Sequence, residues 1–452
     1  MDRSLYKELL QWRGSQPRKP LLLKGARQVG KTHLLKTFGR QEFARYHYIN
    51  FEEDKKIHRV FEKDFLVGRI LDELSLHLDQ TIQVENTLLI FDEIQQCPKA
   101  LTALKYFCEN RPELAICAAG SLLGVKLTES FPVGKVQFLE LYPFTFLEFL
   151  KAIGDEKSFN ILESTLNTFE ISAMAHERLW QHLKNYYFVG GMPEAILAFL
   201  KTGASLLEKQ RNIRTIQQDL INSYHKDFAK HAGKINAFHI VSVFENIPLQ
   251  LSKNLDDSVK RYRFKDILPK KKSFADLQGP IDWLVNANLV IKVKICNRAE
   301  LPLQAFCKDN IFKLYLFDTG LLGCLLDLPV EAILDDNYGI VKGFFAENYV
   351  ATQLLASGIL PLYSWTEVYS EIEFLQHFNG KIIPIEVKSG KRTQAKSLKQ
   401  FFQKYSPQLA MTLSGKPMKI QKDKTLQNLS LYQVGMLREF LSRLQYSSTP
   451  LE

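Results

Sequence analysis

"KGARQVGKT", residues 24–32, decides how the N-terminal part of the chain is read. Gly25, four intervening residues, Gly30, Lys31 and Thr32 have the spacing of a phosphate-binding loop. The physics of that spacing is a nest of backbone N–H groups at a helix N-terminus, where glycine lets the chain turn and approach an anion closely. Ala26, Arg27, Gln28 and Val29 fill the loop, and His33 follows it. Lys31 is expected against the β- and γ-phosphates of ATP, with the Thr32 hydroxyl on Mg²⁺. The flanks agree with this. "PLLLKG" (20–25) is a short apolar strand entering the loop, and "KTHLLKTFG" opens a helix that Gly39 is expected to end.

"LLIFDE" (88–93) supplies the second half of such a site. Asp92, at the carboxyl end of an apolar strand, reaches the Mg²⁺, usually through water. Glu93 beside it orients and polarises the attacking water. The plainer alternative is an acidic pair capping the next helix. At the end of "LAICAAGS" (114–121), Ser121 stands where a polar sensor contacts the γ-phosphate or water, or else simply caps a helix. "ARYHYINFE" (44–52) and "KVQFLELYPFT" (135–145) read as further strands, with helical spacing at 59–80 and 99–110. Continuous apolar strands alternating with helices predict a parallel sheet covered on both faces, an α/β class.

Four segments are expected: a P-loop ATPase core (1–145), a helical lid (146–222), a winged-helix-like region (223–330) and a nuclease-like α/β domain (331–452). "YYFVGGMPEA" (186–195) reads as a sharp glycine turn, structural in preference to a cover over the nucleotide. "LVIKVKICN" (289–297) and "FKLYLFDTGLL" (312–322) are strand-like pieces after helices. The tail runs helix (343–357), strands (362–366, 371–378 and 381–389, the last two joined by Asn379-Gly380), helix (395–405) and strand (409–414). This is the core order of the PD-(D/E)xK nuclease-like fold. Glu347, Glu373, Glu386 and Lys388 fall at its site positions, and alternation puts Glu386 and Lys388 on one face. Such carboxylates could take a second Mg²⁺ or a Mn²⁺, with the lysine positioning a nucleophile. The alternative is a scaffold that binds or braces without cutting.

Eight stretches, "LLLKGARQVGKT", "LLIFDEIQQCP", "AAGSLLGV", "LELYPFTFLEFL", "YYFVGGMPEAI", "FKLYLFDTGLL", "FFAENYV" and "IPIEVKS", resemble in order a prokaryotic family in which an AAA-type ATPase is fused to a C-terminal domain of unknown function. The resemblance implies Mg²⁺-dependent ATP binding and hydrolysis. Two departures stand out. The family's Gly-Arg before the "LEL" strand is Gly134-Lys135, so an arginine finger from a neighbouring copy in a homo-oligomer loses its planar fork there. Arg27 and Arg111 are the other candidates for that role. The family's Glu-x-Asp-Phe is Glu371-Ile372-Glu373-Phe374, which lengthens a ligand by one methylene.

The net charge of +10 admits a polyanionic partner, DNA or RNA. "KRYRFKDILPKKKS" (260–273), with Tyr262 and Phe264 interleaved, and "KSGKRTQAKSLK" (388–399) are the densest basic runs. Six cysteines (97, 108, 117, 296, 307, 324) form no CxxC pair and read as buried free thiols. The ten histidines show no ligand spacing. No apolar run reaches membrane-spanning length, and the N-terminus lacks a leader's pattern, so a cytoplasmic protein without membrane contact is expected. Function therefore reads as ATP hydrolysis coupled to a tail acting on or near nucleic acid. The competing reading is a nucleotide-gated interaction or regulatory switch with an inactive tail. A small-molecule kinase finds no support after residue 145.

Overall fold

A computed structural model describes residues 2–121, 123, 132–203, 205–253, 261–339, 341–367, 370–390, 396–421 and 425–446. The chain forms two compact units, Met1–Tyr142 with Asn286–Asn288, and Pro143–Val285 with Leu289–Glu452.

The first unit is built on five strands: β1 (Leu21–Lys24), β2 (Arg45–Asn50), β3 (Thr87–Asp92), β4 (Ala115–Ala119) and β5 (Gln137–Glu140). Their order is β2-β3-β4-β1-β5 and every pairing is parallel. All residues of β3 and β4 are buried, which is why both read as unbroken apolar runs. Phe91 on β3 meets Phe51 and Phe61 edge-on at 5.6 and 6.1 Å, a geometry favoured by the ring quadrupoles. The helix after β1 runs over Lys31–Glu42 and does not end at Gly39. Gly39 serves close packing instead: a methyl there would lie 2.9 Å from Tyr46 Cβ on β2. The helical spacing at 59–80 resolves into a 3-10 stretch, Lys55–Phe61, and a helix, Val67–Leu78.

The second unit carries a seven-stranded mixed sheet. Its strands are β6 (Val290–Cys296), β7 (Cys307–Leu316), β8 (Tyr363–Glu367), β9 (Ser370–Phe378), β10 (Lys381–Val387), β11 (Ala410–Ser414) and β12 (Leu426–Ser430), in the order β12-β11-β10-β9-β8-β6-β7. The expected tail order is present: helix Val341–Ala356, β8, β9, β10, helix Lys396–Tyr405, β11. Asn379 and Gly380 take φ of 47° and 76°, as a two-residue hairpin turn requires. Two additions were not foreseen. β12 extends the sheet beyond β11, and the β6–β7 hairpin joins it through parallel pairing of β6 with β8. Cys296 and Cys307 face one another across this hairpin, both as free thiols, Sγ to Sγ 2.9 Å.

Two glycine-bearing motifs, far apart in sequence, meet in this unit. The helix Ala173–Val189 ends at Gly190, whose φ is 75°. Gly191 N donates to Asp318 Oδ2 at 2.6 Å, and Leu321 N to Asp318 Oδ1 at 2.9 Å. Gln217 Nε2 donates to the carbonyls of Phe188 and Val189 at 2.8 and 3.1 Å. "YYFVGGMPEA" is thus a turn clasped by the Asp318 side chain. Burial pushes that carboxyl up to about 6 from 3.8, against the three backbone donors that favour its charged form.

Because an acid raised by folding binds its proton more tightly in the native state, Asp318 stabilises the fold less as pH rises from about 4 through 6. In Asp318→Asn this slope is gone. Relative to the variant, the natural protein should lose about 2 kcal/mol of unfolding free energy between pH 4 and 7, read from urea unfolding at each pH. Parallel pH profiles for the two proteins would refute the assignment.

Candidate functional site

The loop leaves the carboxyl end of β1, between β4 and β5, and closes into the Lys31–Glu42 helix. Ligands of open α/β sheets sit at such strand ends. Gly25, Gln28 and Gly30 have φ of 147°, 64° and 98°. A side chain at Gly25 would collide with the Leu141 carbonyl oxygen, so close backbone packing and positive φ both demand glycine there.

Lys31 is 6% exposed, and its Nζ donates to Gly25 O at 2.9 Å and Ala26 O at 2.7 Å. Burial lowers its pKa to about 8, while Glu93 and Asp92 pull the other way. Thr32 Oγ1 donates to Asp92 Oδ2 at 2.6 Å, and Tyr48 OH donates to the same oxygen at 2.9 Å. Glu93 N donates to Asp92 Oδ1 at 3.0 Å. A hydroxyl and a carboxylate side by side next to a phosphate loop fit a Mg²⁺ ion, which takes oxygen ligands. Ala26 and Val29 are buried, Arg27 is half-buried and His33 is exposed.

Glu93 has φ of 49°, a strained value for a residue with a side chain. Burial raises its pKa, opposed by Lys31 and by a hydrogen bond from Gln95. Gln95 is a residue the sequence reading missed. Its Nε2 donates to Glu93 Oε2, and its Oε1 lies against Gly120, where any methyl would overlap it. Gly120 closes β4 directly before Ser121, so Gln95 links Glu93 to the end of the strand that carries Ser121. The clue was present in "DEIQQCP", since the 3-10 turn Ile94–Gln96 folds Gln95 back over Glu93. Ser121 itself is half-buried; positions 122 and 124–131 lie outside the described residues. Lys135 is paired with Glu109 at 3.0 Å, and Arg111 with Glu113 at 3.7 Å.

Of the four tail residues, Glu386 and Lys388 are brought together, and Glu347 and Glu373 both act on Lys313. Glu347 accepts from Tyr315 OH at 2.8 Å and faces Lys313 Nζ at 3.6 Å. Glu373 Oε2 accepts from Val387 N at 3.0 Å. Glu386 Oε1 pairs with Lys388 Nζ at 2.9 Å, and burial raises the Glu386 pKa against that lysine's pull. Among the described residues, no group of three or more His, Cys, Asp or Glu side chains could hold one metal ion. Lys313, Tyr315 and Glu371 were missed in sequence, although alternation in "FKLYLF" places Lys313 and Tyr315 on one face.

In the basic run, Arg261, Arg263, Lys265, Lys270 and Lys272 are exposed; Lys260 lies outside the described residues, as do 391–395 of the second run. The aromatics turn inward. Tyr262 is buried and stacks on Phe312 at 5.9 Å, and Phe264 packs edge-on against the same ring at 5.8 Å. Both rings are thus engaged with Phe312 within the protein. No helix among the described residues is long and apolar enough to cross a membrane.

Residues 17–150 match the family model of an AAA domain. Residues 181–332 and 342–432 match two domains of unknown function, DUF8612 and DUF4143. No curated protein matches the sequence. Among solved structures, the Walker-type ATPase of Pyrococcus abyssi is similar at 17% identity and TM-score 0.44, over 72% of this chain and 95% of that one. AMPPCP-bound DnaA from Aquifex aeolicus is similar at 16% identity and TM-score 0.30, over 62% and 86%. Drosophila ORC bound to DNA is similar at 15% identity and TM-score 0.28, over 72% and 94%. The N-terminal unit is a P-loop domain of the AAA type, and the two domains C-terminal to it are of unknown function.

Gly120→Ala should displace the Gln95 amide and lower stability by about 1–3 kcal/mol, the usual cost of overpacking a filled site. Denaturant midpoints of this variant and of Gly120→Ala/Gln95→Ala test the cause. The second change should recover most of the loss. No recovery would mean that Leu123, whose Cγ would lie 2.9 Å from the added methyl, and not Gln95, sets the cost.

Proposed function

We propose that the chain is a Mg²⁺-dependent ATPase whose nucleotide state is passed to the C-terminal region. The Thr32–Asp92 hydrogen bond carries this reading, because it brings the loop hydroxyl and the β3 carboxylate to one point beside Lys31. Lys31 would exchange its two loop carbonyls for β/γ-phosphate oxygens, where its charge is better matched. Thr32 and Asp92 would hold the Mg²⁺, which neutralises phosphate charge when bound. Glu93 acts as general base. Water adds to the γ-phosphorus, the bond to the β–γ bridging oxygen breaks, ADP leaves with that electron pair, and the water's proton passes to Glu93. Ser121 stands as the sensor. Gln95, by holding Glu93, sets when the base is available.

The C-terminal region is read as the part that uses the nucleotide signal. The exposed Arg261, Arg263 and Lys265 support a nucleic-acid backbone as partner, and the three helices Leu206–Ala232, Lys234–Lys253 and Phe274–Asn286 before the β6–β7 hairpin support a winged-helix-like arrangement. A nucleotide-gated switch without cleavage is the second reading, favoured by the pairing of the tail carboxylates with lysines. A homo-oligomer remains part of the proposal, with Arg27 or Arg111 as trans-acting cation.

Lys31→Ala should abolish ATP binding, whereas Glu93→Gln should bind ATP and lose turnover at least 100-fold, on the scale of general-base loss. Unchanged hydrolysis in both would sink the proposal. Gln95→Ala tests the base more finely. Glu93 must be ionised to accept a proton, and the Gln95 hydrogen bond lowers its pKa; removing it should move the acid limb of the pH–kcat profile to higher pH. An unmoved limb would reject Glu93 as the base. DNA or RNA should raise the ATPase rate, the effect should fall with salt, and alanine at 261, 263 and 265 should reduce it.

A further inference from the structure

Lys313 lies on β7 and is only 3% exposed, an expensive place for an ammonium group unless anions surround it. They do. Its Nζ forms an ion pair with Glu371 of β9 and lies 3.6 Å from Glu347 Oε2 of the helix Val341–Ala356. Glu373, two residues along β9 on the same face as Glu371, adds its field at the same lysine. Tyr315, two residues from Lys313, is fully buried and donates to the same Glu347 oxygen at 2.8 Å. β6 and β8 separate β7 from β9 in the sheet, so these long side chains cross that span to meet.

Two of the carboxylates at which the sequence places a second Mg²⁺ or Mn²⁺, Glu347 and Glu373, therefore face a cation of the protein's own. Glu347 Oε2 already faces two donors, and a metal entering there would have to displace both. An ammonium group supplies charge but is no Lewis acid. It neither lowers the pKa of a bound water nor bridges phosphate and nucleophile, which is what metal-assisted strand cleavage needs. The donor set does not fit the second metal.

We propose that Lys313 is the resident cation of the C-terminal carboxylate cluster, standing where a divalent ion would otherwise sit, and that it makes this sheet a metal-independent, non-cleaving module. Its residues are remote in sequence from the phosphate loop, so it holds or fails independently of ATP hydrolysis.

The test uses the full chain and Mn²⁺ alone, without nucleotide, in an Asp92→Asn background that removes the N-terminal carboxylate from competition. In that background, Mn²⁺ should leave thermal unfolding unshifted. Adding Lys313→Ala should lower the transition, and Mn²⁺ should then raise it by roughly 2–4 °C, saturably, as expected of a ligand near ten times its Kd. Adding Glu347→Gln to Lys313→Ala should abolish that rise. If the Lys313→Ala chain folds and gains nothing from Mn²⁺, the cluster is not a cation site and the proposal falls. If that chain does not fold, the natural protein decides: incubated with DNA or RNA and Mg²⁺ or Mn²⁺, it should cut nothing. Cleavage that disappears in Glu373→Gln overturns the proposal; intact strands uphold it.

Discussion

Asp92 is 3% exposed and carries a charge at the end of a fully buried strand. A carboxylate in that position must be given donors, and the carboxyl edge of the N-terminal sheet is organised around giving them. Thr32 comes from the loop after β1, Tyr48 from β2, and the Glu93 backbone from the chain's own next step. Three sequence segments are fixed relative to one another by one oxygen pair. Directly after it the chain turns, with Glu93 in the left-handed region at φ 49°.

The parts of this arrangement that announce themselves in sequence are those with one-dimensional rules. Gly25 and Gly30 are legible because backbone geometry forbids other residues there, and β3 and β4 because a strand covered on both faces has no polar positions to spare. Gly39 misled for a related reason. A glycine late in a helical pattern reads as a stop, but its space is taken by Tyr46, a partner on another strand. Gln95 and Tyr48 were silent because their roles depend on which side chains lie opposite after folding. The same holds for the β6–β7 hairpin: pairing with β8, across more than sixty intervening residues, leaves no local trace.

In the C-terminal sheet the same constraint takes the opposite sign. There a lysine is buried, and carboxylates from a helix and a strand are drawn to it. Burial by itself would strip Lys313 of its proton, yet Glu371, Glu347 and Glu373 outweigh that effect and hold its pKa above the ordinary lysine value. Spacing alone pointed to Glu347, Glu373 and Glu386 as a set. Their partners include Lys313 and Tyr315 for Glu347, the Val387 N–H for Glu373 and Lys388 for Glu386, and of these only the last was announced by spacing. A motif gives residue types and order; the neighbours supplied by distant strands determine the chemistry.

The two carbonyls that hold Lys31 are, for any anion entering the loop, internal competitors. The lysine is already satisfied by Gly25 and Ala26, so an incoming group must return at least as much as those bonds provide. A lone monovalent anion has little to offer beyond what the loop supplies itself. A chain of phosphates offers several oxygens at once, enough to take the lysine from its carbonyls while also filling the backbone nest. Self-occupation of this kind would set a threshold on length and charge density that a chain of phosphates passes more easily than a single anion.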